Sequence, residues 1–186
     1  MYDIAIIGAG PAGASAALFA GRAGKKTIVF DHGKGMTQRA WVENHYGVAE
    51  ITGPDLVETG KKQVTKAGAE IVEEAVVNVN SEGEGFKVTT ENNEYEAKHV
   101  LFATGVMTDV AEKAGVNLTD GTEPRIKTII DTDKNGRTNV DGIWAAGTVA
   151  GVSVHTIVTA GNGAEVAINI ISDLNGERYV DHDVLK

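Results

Sequence analysis

Asp3-Ile4-Ala5-Ile6-Ile7-Gly8-Ala9-Gly10-Pro11-Ala12-Gly13 opens the chain with an apolar run that passes directly into G-x-G-x-x-G. The Ala-rich stretch from Ala14 to Arg22 follows, so the order is buried strand, glycine turn, helix. Each glycine has a mechanical reason. Gly8 makes the tight turn, Gly10 lets the backbone approach a pyrophosphate, and Gly13 permits close packing of helix on strand. Pro11 and Ala12 lie within that glycine motif, ahead of the helix N-terminus whose free N–H groups and positive dipole end favour phosphate. A second strand, Lys26 to Phe30, ends at Asp31, 31 − 13 = 18 residues past the last glycine. A carboxylate about there accepts hydrogen bonds from a ribose 2′-OH. Strand, turn, helix and acid together predict a dinucleotide site; a structural βαβ unit that binds nothing is the alternative.

The chain has 186 residues, a net charge of −9 and no cysteine. That length buries a real core but divides poorly into two full α/β domains, so one domain over 1–186 is expected. The negative charge disfavours nucleic acid. No apolar run approaches the ~20 residues of a membrane helix, and Met1 leads into a core strand rather than a signal segment, so no membrane partner and a cytoplasmic location are expected. Without cysteine there are no disulfides, thiolate catalysis or C-x-x-C relay, and any redox chemistry falls to a cofactor.

Further along, an irregular stretch to Gly53 precedes a helix from Pro54 to about Lys66, with Leu56, Val57 and Val64 among its apolar positions. Strand-like runs at Ala69 to Val79, Phe86 to Thr90 and Tyr95 to Lys98 predict an antiparallel insertion, the last two joined through Glu91-Asn92-Asn93-Glu94. His99 to Ala103 reads as a buried strand. Val110 to Ala114 suggests a short helix, Ile126 to Asp131 and Gly142 to Ala146 strands, and Thr156 to Leu174 a helix with Ile157, Ala160, Ala164, Ile168 and Ile171 near helical spacing. The predicted fold is α/β, a Rossmann-like domain whose central parallel sheet carries a small antiparallel β insertion.

Gly8-Ala9-Gly10-Pro11-Ala12-Gly13, Val42-Glu43-Asn44, Ala103-Thr104-Gly105, Thr138-Asn139-Val140-Asp141-Gly142-Ile143-Trp144-Ala145-Ala146-Gly147 and Thr159-Ala160-Gly161-Asn162-Gly163-Ala164 occur in that order. Together they resemble the FAD-binding domain of the low-molecular-weight thioredoxin reductases and related flavoproteins. The resemblance implies FAD at the N-terminal fingerprint, with the Ala-Ala-Gly motif toward the ribityl chain and flavin. It extends the candidate cofactor contacts to His32, Asn44, Val77, Thr104, Gly105, Gly147, Thr148, His155 and Thr156. In that family a nicotinamide domain with its own glycine fingerprint and C-x-x-C follows Ala-Thr-Gly; here Gly105 passes through Val106-Met107-Thr108-Asp109 into the returning segment. The resemblance therefore implies an oxidoreductase or electron carrier acting through flavin N5, without thioredoxin reductase activity. NADH or NADPH as a diffusing donor, a redox partner protein and a homodimer are the implied partners. A non-enzymatic FAD-binding sensor, carrier or structural subunit is the rival.

Two departures touch the cofactor. Thr148 stands where the family has Asp, replacing a charged acceptor by a neutral one. Val154-His155-Thr156 stands for Arg-Gln-Ala, which places His155 and Thr156 at the flavin edge. A histidine at a helix start is also an ordinary capping or packing residue, and Thr156 an ordinary N-cap. Asn44 and His45 approach the flavin by resemblance or form a plain loop pair, while packing accounts better for Trp41 and Tyr46. Asp131-Thr132-Asp133-Lys134-Asn135-Gly136 matches half an EF-hand loop, but position twelve is Gly142 where Glu is needed, so a turn is expected. Asn117-Leu118-Thr119 fits a glycosylation pattern without a secretory signal to give it meaning. No metal site is expected.

Overall fold

The computed structural model describes residues 1–182 and Val184. Its parallel strands are β1 (Tyr2–Ile7), β2 (Thr27–Phe30), β5 (Glu70–Val72), β8 (Glu94–Phe102) and β11 (Ile143–Ala145), ordered β5-β2-β1-β8-β11. β6 (Val76–Glu82) and β7 (Gly85–Thr90) join the first half of β8 as an antiparallel meander, with Phe86 opposite Ala97 and Thr89 opposite Glu94. β8 thus serves two pairings, its second half running beside β1 with Ile7 opposite Phe102. The Rossmann-like α/β architecture predicted from the sequence is the architecture found.

Alternation along β1 separates two cores. Ile4 and Ile6 join Ala16, Ala17, Ala20, Val166, Ala167 and Ile170 on the helical face; Ala5 and Ile7 join Val79, Phe86, Val88, Val116 and Ile130 on the other. A strand covered on both faces reads as a continuous apolar run rather than an alternating one, which is how Ile4 to Ile7 appear in the sequence. The helical face carries α1 (Pro11–Arg22), α2 (Gly53–Lys66) and α4 (Thr156–Asn175). The opposite face is covered by the meander and by the returning segment, α3 (Asp109–Lys113) and the β9 (Leu118–Asp120) to β10 (Thr128–Ile130) hairpin.

Several expectations needed correction. Ala69 to Val79 is two strands, β5 in the parallel sheet and β6 in the meander, because the chain changes layers at Glu73–Ala75. Tyr95 to Lys98 and His99 to Ala103 are one strand, which apolar content alone splits where Lys98 and His99 intervene. The irregular stretch before Gly53 holds a 3₁₀ turn (Met36–Arg39) and a two-residue hairpin of β3 (Trp41–Val42) with β4 (Ile51–Thr52). On α4 the buried stripe is Thr156, Thr159, Gly163, Val166, Ala167, Ile170 and Ile171, rotated from the predicted one; Ile157 is 36% exposed. Close approach of α4 to α1 at Gly163 sets that rotation, since a Cβ there would lie 2.0 Å from the Ala12 carbonyl oxygen.

Candidate functional site

The carboxyl ends of β1, β2 and β8 open into one cavity of about 400 Å³. It lies where the chain leaves β1 to one side for β2 while β8 pairs on the other, the switch point at which open α/β sheets bind ligands. Gly8, at φ +110°, turns β1 toward α1, and a Cβ on it would sit 2.3 Å from the Ala103 carbonyl oxygen. Gly10 caps α1 without a side-chain bond, and a Cβ there would meet no protein atom within 4 Å. The first turn of α1 carries no acidic residue, and Pro11 removes one N–H that has no helical partner anyway. An anion is the matching occupant for the remaining free N–H groups.

Asp31 is nearly buried at the tip of β2. Its carboxylate accepts the Gly33 N–H at 2.9 Å and forms an ion pair with Lys61 of α2. Burial alone pushes this carboxyl up, but the Lys61 ammonium and the Gly33 N–H outweigh it and hold the group below the ordinary carboxylate range. His32 lines the same end, its Nδ1 3.3 Å from the Lys34 nitrogen.

At the far end Thr148 and Thr156, 7% and 9% exposed, line the cavity with Thr159 and Val154. Thr148 lies in the 3₁₀ turn Gly147–Ala150, which is tied to α4 by the Gly147 N–H donating to Asn162 Oδ1 at 2.7 Å. Thr156 is the first residue of α4 rather than its cap; the cap is His155. The Thr156 hydroxyl lies 3.1 Å from His45 Nδ1. Thr104 and Gly105 form the rim after β8, where the Thr104 hydroxyl closes a turn onto the Met107 carbonyl at 2.5 Å.

Thus Gly8, Gly10, Pro11, Ala12, Asp31, His32, Thr104, Gly105, Thr148 and Thr156 come together around one cavity. Gly13 and Gly147 stand behind the lining as close-packing positions, where a Cβ would lie 1.8 Å from the Gly8 carbonyl oxygen and 2.7 Å from the Ala12 Cβ respectively. Asn44, Val77 and His155 are exposed outside the lining. Val76 takes the wall position expected of Val77, and the His155 ring pairs with Ser153 Oγ at 2.8 Å. The sequence reading missed Met36, Thr37, Glu74 and Lys61; the irregular stretch after Asp31 was the signal available for the first two.

The pyridine nucleotide-disulphide oxidoreductase family pattern matches residues 2–52 and 40–164. The chain is 43% identical over 109 residues to a thioredoxin reductase of Peptoclostridium acidaminophilum, covering 56% of this chain and 35% of that protein. A thioredoxin reductase of Aquifex aeolicus is 37% identical over 114 residues, with 58% and 35% covered. The matched region therefore spans about a third of the length of these relatives. Among solved structures, a thioredoxin reductase from Gloeobacter violaceus superposes with a TM-score of 0.82 at 17% identity, covering 100% of this chain and 99% of that one. The atypical thioredoxin reductase from Desulfovibrio vulgaris Hildenborough gives 0.79 at 19%, covering 95% and 99%. These two share the fold. With the sequence pattern spanning β1 to the middle of α4, the chain belongs to the pyridine nucleotide-disulphide oxidoreductase family.

Proposed function

We propose that the cavity binds one FAD and that the protein is an FAD-dependent oxidoreductase or electron carrier supplied by an external donor. The observation that carries this reading is the continuity of one cavity from the first turn of α1 and Asp31 to Thr148 and Thr156. A mononucleotide would need only part of that path. Its volume lies within the range of about 300–1,000 Å³ common to cofactor sites.

The N–H groups of Ala12 and Gly13 would hold the pyrophosphate against the α1 dipole, with Gly10 leaving room for its approach. Asp31, kept ionised by Lys61, would accept from the adenosine ribose. Thr148 would contact the ribityl chain through a neutral hydroxyl. The start of α4, with Thr156 and its free N–H groups, would favour negative charge beside the ring. A flavin supplies the two-electron chemistry through N5 when bound, and the chain contributes binding, orientation and electrostatics. With no cysteine in the sequence, electrons have no thiol relay to follow, so a nicotinamide or a redox protein is the proposed donor. A single FAD domain, operating as a homodimer, completes the reading.

The purified protein is expected to release FAD on denaturation, identified by mass, or to take up FAD on reconstitution with the visible absorption of a bound flavin. Release of NAD alone, or no uptake of FAD, overturns the proposal.

A further inference from the structure

The chain crosses from β5 to β6 in three residues, Glu73–Ala75, and Glu74, Ala75 and Val76 form cavity wall at the same end as Phe30 and Asp31. The crossing starts beside Asp31, whose N–H donates to the Val72 carbonyl at 2.9 Å. Glu73, Glu74 and Ala75 lie outside the strands and take part in no turn or loop backbone hydrogen bond among the described residues. Such a segment samples several conformations unless a side chain fixes it.

Glu74 provides that fixing. Its Oε2 accepts the Thr90 hydroxyl at 2.5 Å and its Oε1 accepts the Asn93 Nδ2–H at 2.8 Å. Thr90 is 4% exposed at the end of β7. The turn that presents both partners is already closed by its own bonds, the Thr90 N–H to the Asn93 carbonyl and the Asn93 N–H to Thr90 Oγ1, each 2.9 Å. The meander thus clamps one wall of the cavity.

Resting on the FAD reading, we infer that Glu74, held by Thr90 and Asn93, is the positioning residue that makes this cavity select an adenine-bearing flavin over one ending at the ribityl phosphate. Only the adenosine half of FAD reaches the wall made by Phe30, Asp31 and Glu74–Val76. Holding that wall in place before binding removes an ordering cost that adenosine would otherwise bear. FMN makes no use of this wall, so the clamp contributes nothing to its affinity.

Titration of the apoprotein with FAD, FMN and ADP, for the wild type, Asn93→Ala, Thr90→Val and Thr90→Ser, tests the inference. Asn93→Ala leaves the backbone bonds of the turn in place, whereas Thr90→Val, at nearly constant volume, removes both the donor to Glu74 and the acceptor of the Asn93 N–H. Asn93→Ala should weaken FAD and ADP about tenfold, the worth of one hydrogen bond to a charged group, and Thr90→Val at least as much. FMN affinity should stay within about twofold, and Thr90→Ser should behave as the wild type. Urea unfolding midpoints of the apoproteins, read in parallel, should not account for the change. Unchanged FAD and ADP affinity, an equal loss for FMN, or an ADP loss that follows a loss of stability overturns the inference. A wild type that binds ADP but neither flavin defeats the FAD reading while the ADP series still tests the clamp; one that binds none of the three defeats both.

Discussion

Asp31 and Lys61 carry the strongest electrostatic coupling at the candidate site. The Asp31 side chain is 10% exposed and that of Lys61 21%, so water screens the pair only in part. The hydrogen bond to Asp31 in turn holds the Lys61 ammonium above its ordinary 10.5. Lys61→Met keeps most of the unbranched side chain and removes the charge, leaving Asp31 with the Gly33 N–H alone. At pH 7 the variant should lose about 2 kcal/mol of stability, within the range for a charged hydrogen bond. Because the folded Asp31 carboxyl lies below its ordinary 3.8, its contribution is present above that value and lost as pH falls through the lowered folded one. The gap between wild type and variant should therefore be full at pH 7 and shrink below about pH 4. Urea unfolding at pH 7 and pH 3 measures it, and an equal gap at both would assign the loss to packing rather than charge. Asp31 itself was legible in the sequence because its spacing from Gly13 is set by one βαβ unit. Lys61 and Glu74 were not: each meets its partner through the packing of separate elements, and nothing in the local pattern around either encodes that meeting.

Helix α4 shows the same limit at the level of an element. Its existence and length were legible, Thr156 to Leu174 expected against Thr156–Asn175 found, because apolar residues recur over many turns. Its rotation was not, since the face against α1 includes Thr156, Thr159 and Gly163, which a search for apolar periodicity passes over. Two glycines two residues apart then predict opposite outcomes. A Cβ on Gly163 would fall 2.0 Å from the Ala12 carbonyl oxygen and 2.7 Å from its carbonyl carbon, all backbone that cannot turn aside. Gly163→Ala should cost at least the 1–3 kcal/mol of overpacking, and because Ala12 lines the cavity it should weaken FAD as well. A Cβ on Gly161 would meet nothing within 4 Å, so Gly161→Ala should gain about 0.5–1 kcal/mol from helix propensity. Thermal and urea unfolding of the two variants decide this; matching signs would mean that α4 does not approach α1 as described.

Across the whole molecule, the segment from Gly105 to Thr138 is a built part of the fold. Ala111, Val116 and Ile130 bury against the meander face, and β9 pairs with β10. Gly151, the left-handed cap that ends the Gly147–Ala150 turn, leaves its carbonyl to accept the Thr122 hydroxyl at 3.1 Å, joining this segment to the far end of the cavity. Met36, Val106, Met107 and Val154 are cavity-lining residues between 44% and 53% exposed, so apolar surface rims the opening. Such a rim suits a partner surface, but it offers a nicotinamide no phosphate cradle. The sequence holds a single G-x-G-x-x-G, the one at the start of α1, which the proposed FAD claims. Hydride transfer from free NADH or NADPH would then depend on encounters that the chain does not orient. Proper orientation is worth roughly 7–11 kcal/mol in such reactions, and losing even part of it slows the step by orders of magnitude. Anaerobic stopped-flow bleaching of the bound flavin should accordingly be slow and rise linearly with nicotinamide into the millimolar range. Rapid reduction that saturates at micromolar donor would instead reveal a nicotinamide site on this chain that does not use a glycine fingerprint.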